Sequence, residues 1–116
     1  MIVVELAARL DAKVLCGSEA ALGRAVRGAY AGDLLSWVMG RAQAGTAWVT
    51  IMSNMNVAAV ALLTDVSCVV LSENVTPDEA LLVRAAREEL VLLSTPLSTY
   101  DACWRIREGL ADAAVL

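Results

Sequence analysis

Ser53, Asn54 and Asn56 fall together in the run Ser53-Asn54-Met55-Asn56, one of the few polar clusters in a very apolar sequence. Hydroxyl and amide side chains donate and accept hydrogen bonds but do not titrate near neutral pH, so such a cluster suits binding rather than acid–base work. Two smaller groups, Ser72 with Glu73 and Ser94 with Thr95, likewise follow apolar stretches. Placed beside helix N-termini, these groups suit an anionic or sugar-like ligand. The same residue types also cap helices and fill turns, and that alone explains each of them. Both readings stand at this point.

Catalytic chemistry finds little support. The sequence has no histidine, which removes the usual general base near neutral pH and the commonest zinc ligand. Cys16, Cys68 and Cys103 form no CxxC pair and sit among apolar neighbours, so buried free thiols in a reducing cytoplasm are expected. An enzyme would have to work from Asp33, Asp65, Glu73 or Cys68, and no spacing favours it. No catalytic residue, metal or cofactor is expected. The loop Gly28-Ala29-Tyr30-Ala31-Gly32-Asp33 could cradle phosphate, but Asp33 then supplies a negative charge where it would cap a helix starting at Leu34.

Composition sets the frame for these residues. At 116 residues the chain is long enough for one core, and a single domain spanning residues 1–116 is expected. Hydrophobic residues make up 59%, against roughly 45–50% in an average domain. The surplus points to a homodimer whose interface hides it, an alanine-rich compositional bias being the alternative. Net charge is −4 and the nine Lys and Arg are scattered, so the basic stripe that nucleic acid requires is lacking. Residue 5 is Glu and no basic segment precedes the apolar run, so no signal peptide is expected. Residues 42–64 are uncharged, yet Gln43, Ser53, Asn54 and Asn56 would be costly at membrane depth. A cytoplasmic protein without membrane or nucleic-acid partners is the expectation.

The elements follow from periodicity and punctuation. Residues 2–10 carry a helical apolar face, with Glu5 and Arg9 at i, i+4. Residues 13–16 read as a strand, residues 20–24 as a polar excursion and residues 25–30 as a second strand. A helix over residues 34–44, ended by Gly45, leads into a nearly uncharged strand over residues 46–52, as expected where both faces are covered. After the turn 53–56, the helix over residues 57–63, Val-Ala-Ala-Val-Ala-Leu-Leu, is apolar on every side and calls for burial all round, by the sheet and by a second subunit. Trp37 and Met39 cannot both face the sheet, which places one of them in that interface. A buried strand over residues 67–71 completes a βαβ unit.

Thr76-Pro77-Asp78-Glu79 reads as a capping box opening an amphipathic helix over residues 77–89. A short strand over residues 90–93 follows. Ser98 and Asp101 then cap a last helix that reaches about Glu108 and stops at Gly109, leaving a fraying tail over residues 110–116. Three buried strands alternating with helices make an α/β domain, three-layer α/β/α with a small, mainly parallel sheet. In such sheets ligands sit beyond the carboxyl ends of the strands, where the three polar groups would meet.

These elements carry a resemblance over nearly the whole chain. The turn into Asp33-Leu34-Leu35-Ser36, the strand from Trp48 to Ile51, Asn56 heading an Ala- and Val-rich helix, and Leu93-Ser94-Thr95-Pro96 before the final helix are similar to the DRTGG domain, although its naming pentapeptide is not intact and residue 54 is Asn. The resemblance implies a fold like the N-terminal domain of HPr kinase, relatives joined to CBS domains in regulated pyrophosphatases or to phosphotransacetylases, and a regulatory or assembly role with dimerisation. The leading expectation is a non-catalytic homodimeric module that binds a small anionic metabolite, an adenine nucleotide for choice, and modulates a partner enzyme. Its ligand-binding residues would be Tyr30, Ser53, Asn54, Asn56, Ser94 and Thr95, with Tyr30 as a stacking surface. The rival is a purely structural dimer or scaffold that binds nothing small.

Overall fold

The computed structural model describes residues 1–115. The chain runs α1 (Val3–Arg9), β1 (Lys13–Cys16), α2 (Glu19–Leu22), β2 (Ala29–Ala31), α3 (Leu35–Arg41), β3 (Ala47–Thr50), α4 (Asn56–Thr64), β4 (Cys68–Leu71), α5 (Glu79–Arg87), β5 (Leu92–Ser94) and α6 (Thr99–Val115). The strands form one sheet in the order β1-β5-β4-β3-β2. Strands β2 to β5 are parallel and β1 joins β5 antiparallel. This is the three-layer, mainly parallel α/β architecture that the alternating pattern implies.

Side-chain alternation along the central strands divides the core between two layers. Ala47, Val49, Cys68, Val70 and Leu93 face α1 and α6, where Val3, Leu6, Leu10, Ala102 and Ile106 pack on them. Trp48, Val69, Leu71 and Leu92 face the other way, toward Val38 of α3, Val57, Ala58, Val60 and Ala61 of α4, and Leu81 and Ala85 of α5. β3 and β4 are buried along their whole length, which is why neither carries a polar face.

Several local expectations are corrected. The excursion at residues 20–24 is the short helix α2, opened by Ser18 Oγ accepting from the Ala21 N–H at 3.1 Å. Asp33 does not cap α3, which begins one residue later with Leu34 at its N-cap; its carboxylate turns to β3 instead. The capping box at residues 76–79 does not form. Asp78 is the N-cap of α5 without a side-chain hydrogen bond, and its backbone N–H donates to the Ser53 carbonyl at 2.9 Å, so the chain entering α5 is tied to the turn after β3. The last helix does not stop at Gly109 but continues through it to Val115. A methyl group on Gly109 would lie 2.8 Å from Arg9 Cδ and 2.9 Å from Met1 Sδ, so this glycine permits a close approach rather than ending the helix. Of the tail expected to fray, residues 110–115 are helical and Leu116 lies outside the described residues.

Helix α4 is buried toward the sheet and along the flanks that meet α3 and α5, but not on its outer side. Leu62 and Leu63 are 39% and 75% exposed, so the covering expected for its other side does not come from the described residues.

Candidate functional site

Four parallel strands end on one edge of the sheet, at Ala31, Thr50, Leu71 and Ser94. What each loop does with its polar groups decides what remains for a ligand. At the end of β3, Asp33 Oδ1 accepts from Thr50 Oγ at 2.8 Å and from the Ile51 N–H at 3.0 Å, while Thr50 Oγ accepts from the Met52 N–H at 3.2 Å. This network fixes the strand end from which the 53–56 turn departs. Asn54 Oδ1 then accepts from the Asn56 N–H at 2.9 Å, an Asx turn that leads the chain into α4.

The loops after β4 and β5 are committed to structure. Ser72 and Thr99 share a hydroxyl–hydroxyl hydrogen bond of 2.7 Å, and Glu73 Oε2 accepts from the Thr99 N–H at 2.7 Å, holding the start of α6. Thr95 is fully buried; its hydroxyl donates to the Leu10 carbonyl at 2.6 Å and accepts from the Leu97 N–H at 3.2 Å. Ser94 is half-buried in register with Leu71 and Lys13. The ends of β3 and β5 are two strand spacings apart, roughly 10 Å.

The sequence-derived residues therefore divide. Ser53, Asn54 and Asn56 share the turn entering α4, and among the described residues neither the Ser53 hydroxyl nor the Asn56 side chain makes a hydrogen bond. Ser94 stands farther along the same edge, and Thr95 points to α1. Tyr30 lines a separate cleft with Arg27, Arg41, Gln43 and Thr46, against the outermost strand; none of the other five residues lines it.

Beside the 53–56 turn lies a feature that residue-by-residue reading missed. A cleft of about 380 Å³ opens between the start of α4 and the outer face of α5, lined by Met55, Glu79, Ala80, Val83, Arg84 and Arg87. Met55 and Val83 give it an apolar wall. Arg84 and Arg87 are i, i+3 neighbours on one helix face, and neither has a carboxylate within ion-pair distance among the described residues, where Arg9, Arg24 and Arg105 do. The signal was the paired arginines in Val-Arg-Ala-Ala-Arg, but only the backbone tie from Asp78 to Ser53 brings them beside the turn.

The cysteine thiols are held away from reactivity by burial. Burial pushes the Cys68 thiol up to about 12, with the Arg24 charge offsetting only part of the effect, and it raises Cys16 and Cys103 as well. Such thiols are protonated and poorly nucleophilic. No group of three or more metal-binding side chains occurs among the described residues, and no described helix is long and apolar enough to cross a membrane.

Comparison with known proteins bears on the fold and the family. No curated protein matches the sequence. A solved structure of the CBS and DRTGG domains from the regulatory region of Clostridium perfringens pyrophosphatase, complexed with the activator diadenosine tetraphosphate, superposes with a TM-score of 0.70 at 14% identity. The superposition covers 87% of this chain but 44% of that one, so the likeness is one of fold. The DRTGG domain itself matches residues 5–108, from α1 to within α6, and on that match the chain belongs to the DRTGG domain family.

Proposed function

We propose that the protein is a non-catalytic regulatory module that binds a small anionic metabolite, an adenine nucleotide for choice, and modulates a partner enzyme. The observation that carries this reading is the junction of the 53–56 turn with the Arg84–Arg87 cleft. Arg84 and Arg87, without carboxylate partners among the described residues, offer two positive charges for a phosphate against the one carboxylate of Glu79 in the cleft, Met55 with Val83 offers an apolar surface for a base, and the Ser53 hydroxyl and the amides of Asn54 and Asn56 stand on the adjoining turn. That a similarly folded region acts in a pyrophosphatase complexed with a dinucleotide activator supports the choice of ligand class. Ser94 extends the site along the edge, whereas Thr95 supports it from below and Tyr30 lies outside it.

The module acts as a homodimer in the cytoplasm. Leu34, Met39, Leu62 and Leu63 on the outer side of the packed α3–α4 pair are 59%, 49%, 39% and 75% exposed, a surface that a second copy would bury. The same surface serves the second reading, a scaffold dimer with no small ligand, and the two separate on ligand binding alone. Isothermal titration with adenine nucleotides tests the site: Arg87→Glu and Asn56→Ala are expected to weaken binding about tenfold or more through loss of charge-assisted and polar contacts. Unchanged affinity in both, with folding intact, would place the ligand elsewhere.

A further inference from the structure

The sheet ends at β2, and among the described residues no strand pairs with its outer side. Ala47 N–H donates to the Gly28 carbonyl at 3.0 Å and Gly32 N–H donates to the Val49 carbonyl at 3.1 Å, so Gly28, Tyr30 and Gly32 face β3. In a strand the intervening residues point their backbone groups the other way. Ala29 and Ala31, both exposed, thus present two N–H and two C=O groups to solvent. Their methyl side chains do not obstruct an approaching strand, and the strand carries no charge or proline of the kind that usually blocks an edge.

The two sides of this edge differ in chemistry. Toward α3 lies the cleft of about 380 Å³ with Arg27, Arg41, Gln43 and the Tyr30 ring. Toward α6 lies another of about 350 Å³ with Cys103, Ile106 and Leu110 at its floor, and Arg27 and Arg107 at its rim. Arg27, Arg41 and Arg107 have no carboxylate within ion-pair distance among the described residues; Arg41 instead lies over the Trp37 ring, 3.9 Å from its centroid. In a protein of net charge −4, three arginines around one open strand form a local positive field.

We propose that the β2 edge is a docking site for an extended segment of a partner protein in which acidic and aliphatic residues alternate, paired to Ala29 and Ala31 as a sixth strand. Successive side chains of an added strand fall on opposite faces of the sheet. Its acidic residues then meet Arg27, Arg41 and Gln43, and its aliphatic ones meet the half-buried Cys103 and Leu110. Backbone pairing supplies the affinity and the two clefts supply the selectivity. A second copy of this chain is the poorer occupant, because pairing β2 with itself would bring two sets of these arginines together.

The test is a titration of the full chain with a terminally blocked hexapeptide of alternating glutamate and valine, followed by backbone amide NMR and hydrogen exchange. The expected result is a shift and slowed exchange at the Ala29 and Ala31 amides, abolished when the peptide backbone is N-methylated. Glutamine in place of glutamate, or Arg27→Glu with Arg41→Glu, weakens binding about tenfold or more. Absence of any change at Ala29 and Ala31, or binding indifferent to N-methylation, overturns the proposal. So does a dimer that Ala31→Pro converts to monomer, since that exchange removes an outward-facing N–H while leaving the β3 ladder intact and would show the occupant to be a second copy.

Discussion

Asp33 and Thr95 show how single polar side chains set the edge on which the ligand site stands. Asp33 holds the end of β3 through Thr50, which is 1% exposed, and through the Ile51 N–H. Asp33→Ala leaves the Thr50 hydroxyl without its acceptor and is expected to cost about 1–3 kcal/mol in urea unfolding. Thr95→Val, close in shape, removes the donor to the buried Leu10 carbonyl and is expected to cost a similar amount, while Thr95→Ser retains most of the stability. Cys68 adds a pH dependence. Its ordinary value of 9.0 rises to about 12 in the fold, so above pH 9 the unfolded chain releases a proton that the folded chain keeps. Stability conferred below pH 9 is lost as pH rises toward 12, by at most about 1.4 kcal/mol per pH unit, and Cys68→Ala flattens that slope in alkaline denaturation. At this scale the sequence identified the polar residues but not their roles. Ser, Thr, Asn and Asp serve caps and ligands alike, and only the positions of Leu10, Thr50 and Thr99 separate Asn56, whose side chain is uncommitted, from Thr95, whose hydroxyl is engaged.

At the scale of elements, periodicity was legible and ends were not. The sequence located β3, β4 and the helices that alternate with them, because strands covered on both faces are written as unbroken apolar runs. It misplaced the start of α5 and the end of α6, where a tertiary contact outweighed local punctuation: Asp78 turns to Ser53, and Gly109 admits Arg9, which bridges to Asp112 at 2.8 Å. Two helical glycines therefore make a comparison. A methyl group added at Gly40 of α3 would meet nothing within 4 Å, so Gly40→Ala is expected to raise stability by about 0.5–1 kcal/mol in thermal unfolding. The arginine pair of α5 belongs to this scale too, since a helix face reads as solvent-directed until its neighbour is known.

For the whole molecule, the surplus of apolar residues and the shortage of partners for the arginines are the two features that look outward. Part of the first lies on α3 and α4, where Leu63 is 75% exposed. Leu63→Asp is expected to convert a dimer to a monomer in sedimentation equilibrium without loss of helix content, because the side chain touches no core. The sequence announced that surplus through composition, but it held no sign of where unpaired positive charge would gather, since Arg27, Arg41 and Arg107 meet only through the fold. The central claim, that this DRTGG domain binds an anionic metabolite at the turn after β3, is tested most directly by thermal unfolding at fixed protein concentration with diadenosine tetraphosphate, adenine mononucleotides and other phosphorylated metabolites. A ligand present at a hundred times its dissociation constant adds about 2.7 kcal/mol to the folded state. The account predicts a selective rise in melting temperature that Arg87→Glu cuts to about half or less at the same ligand concentration; no rise with any compound, or an undiminished rise in that variant, would contradict it.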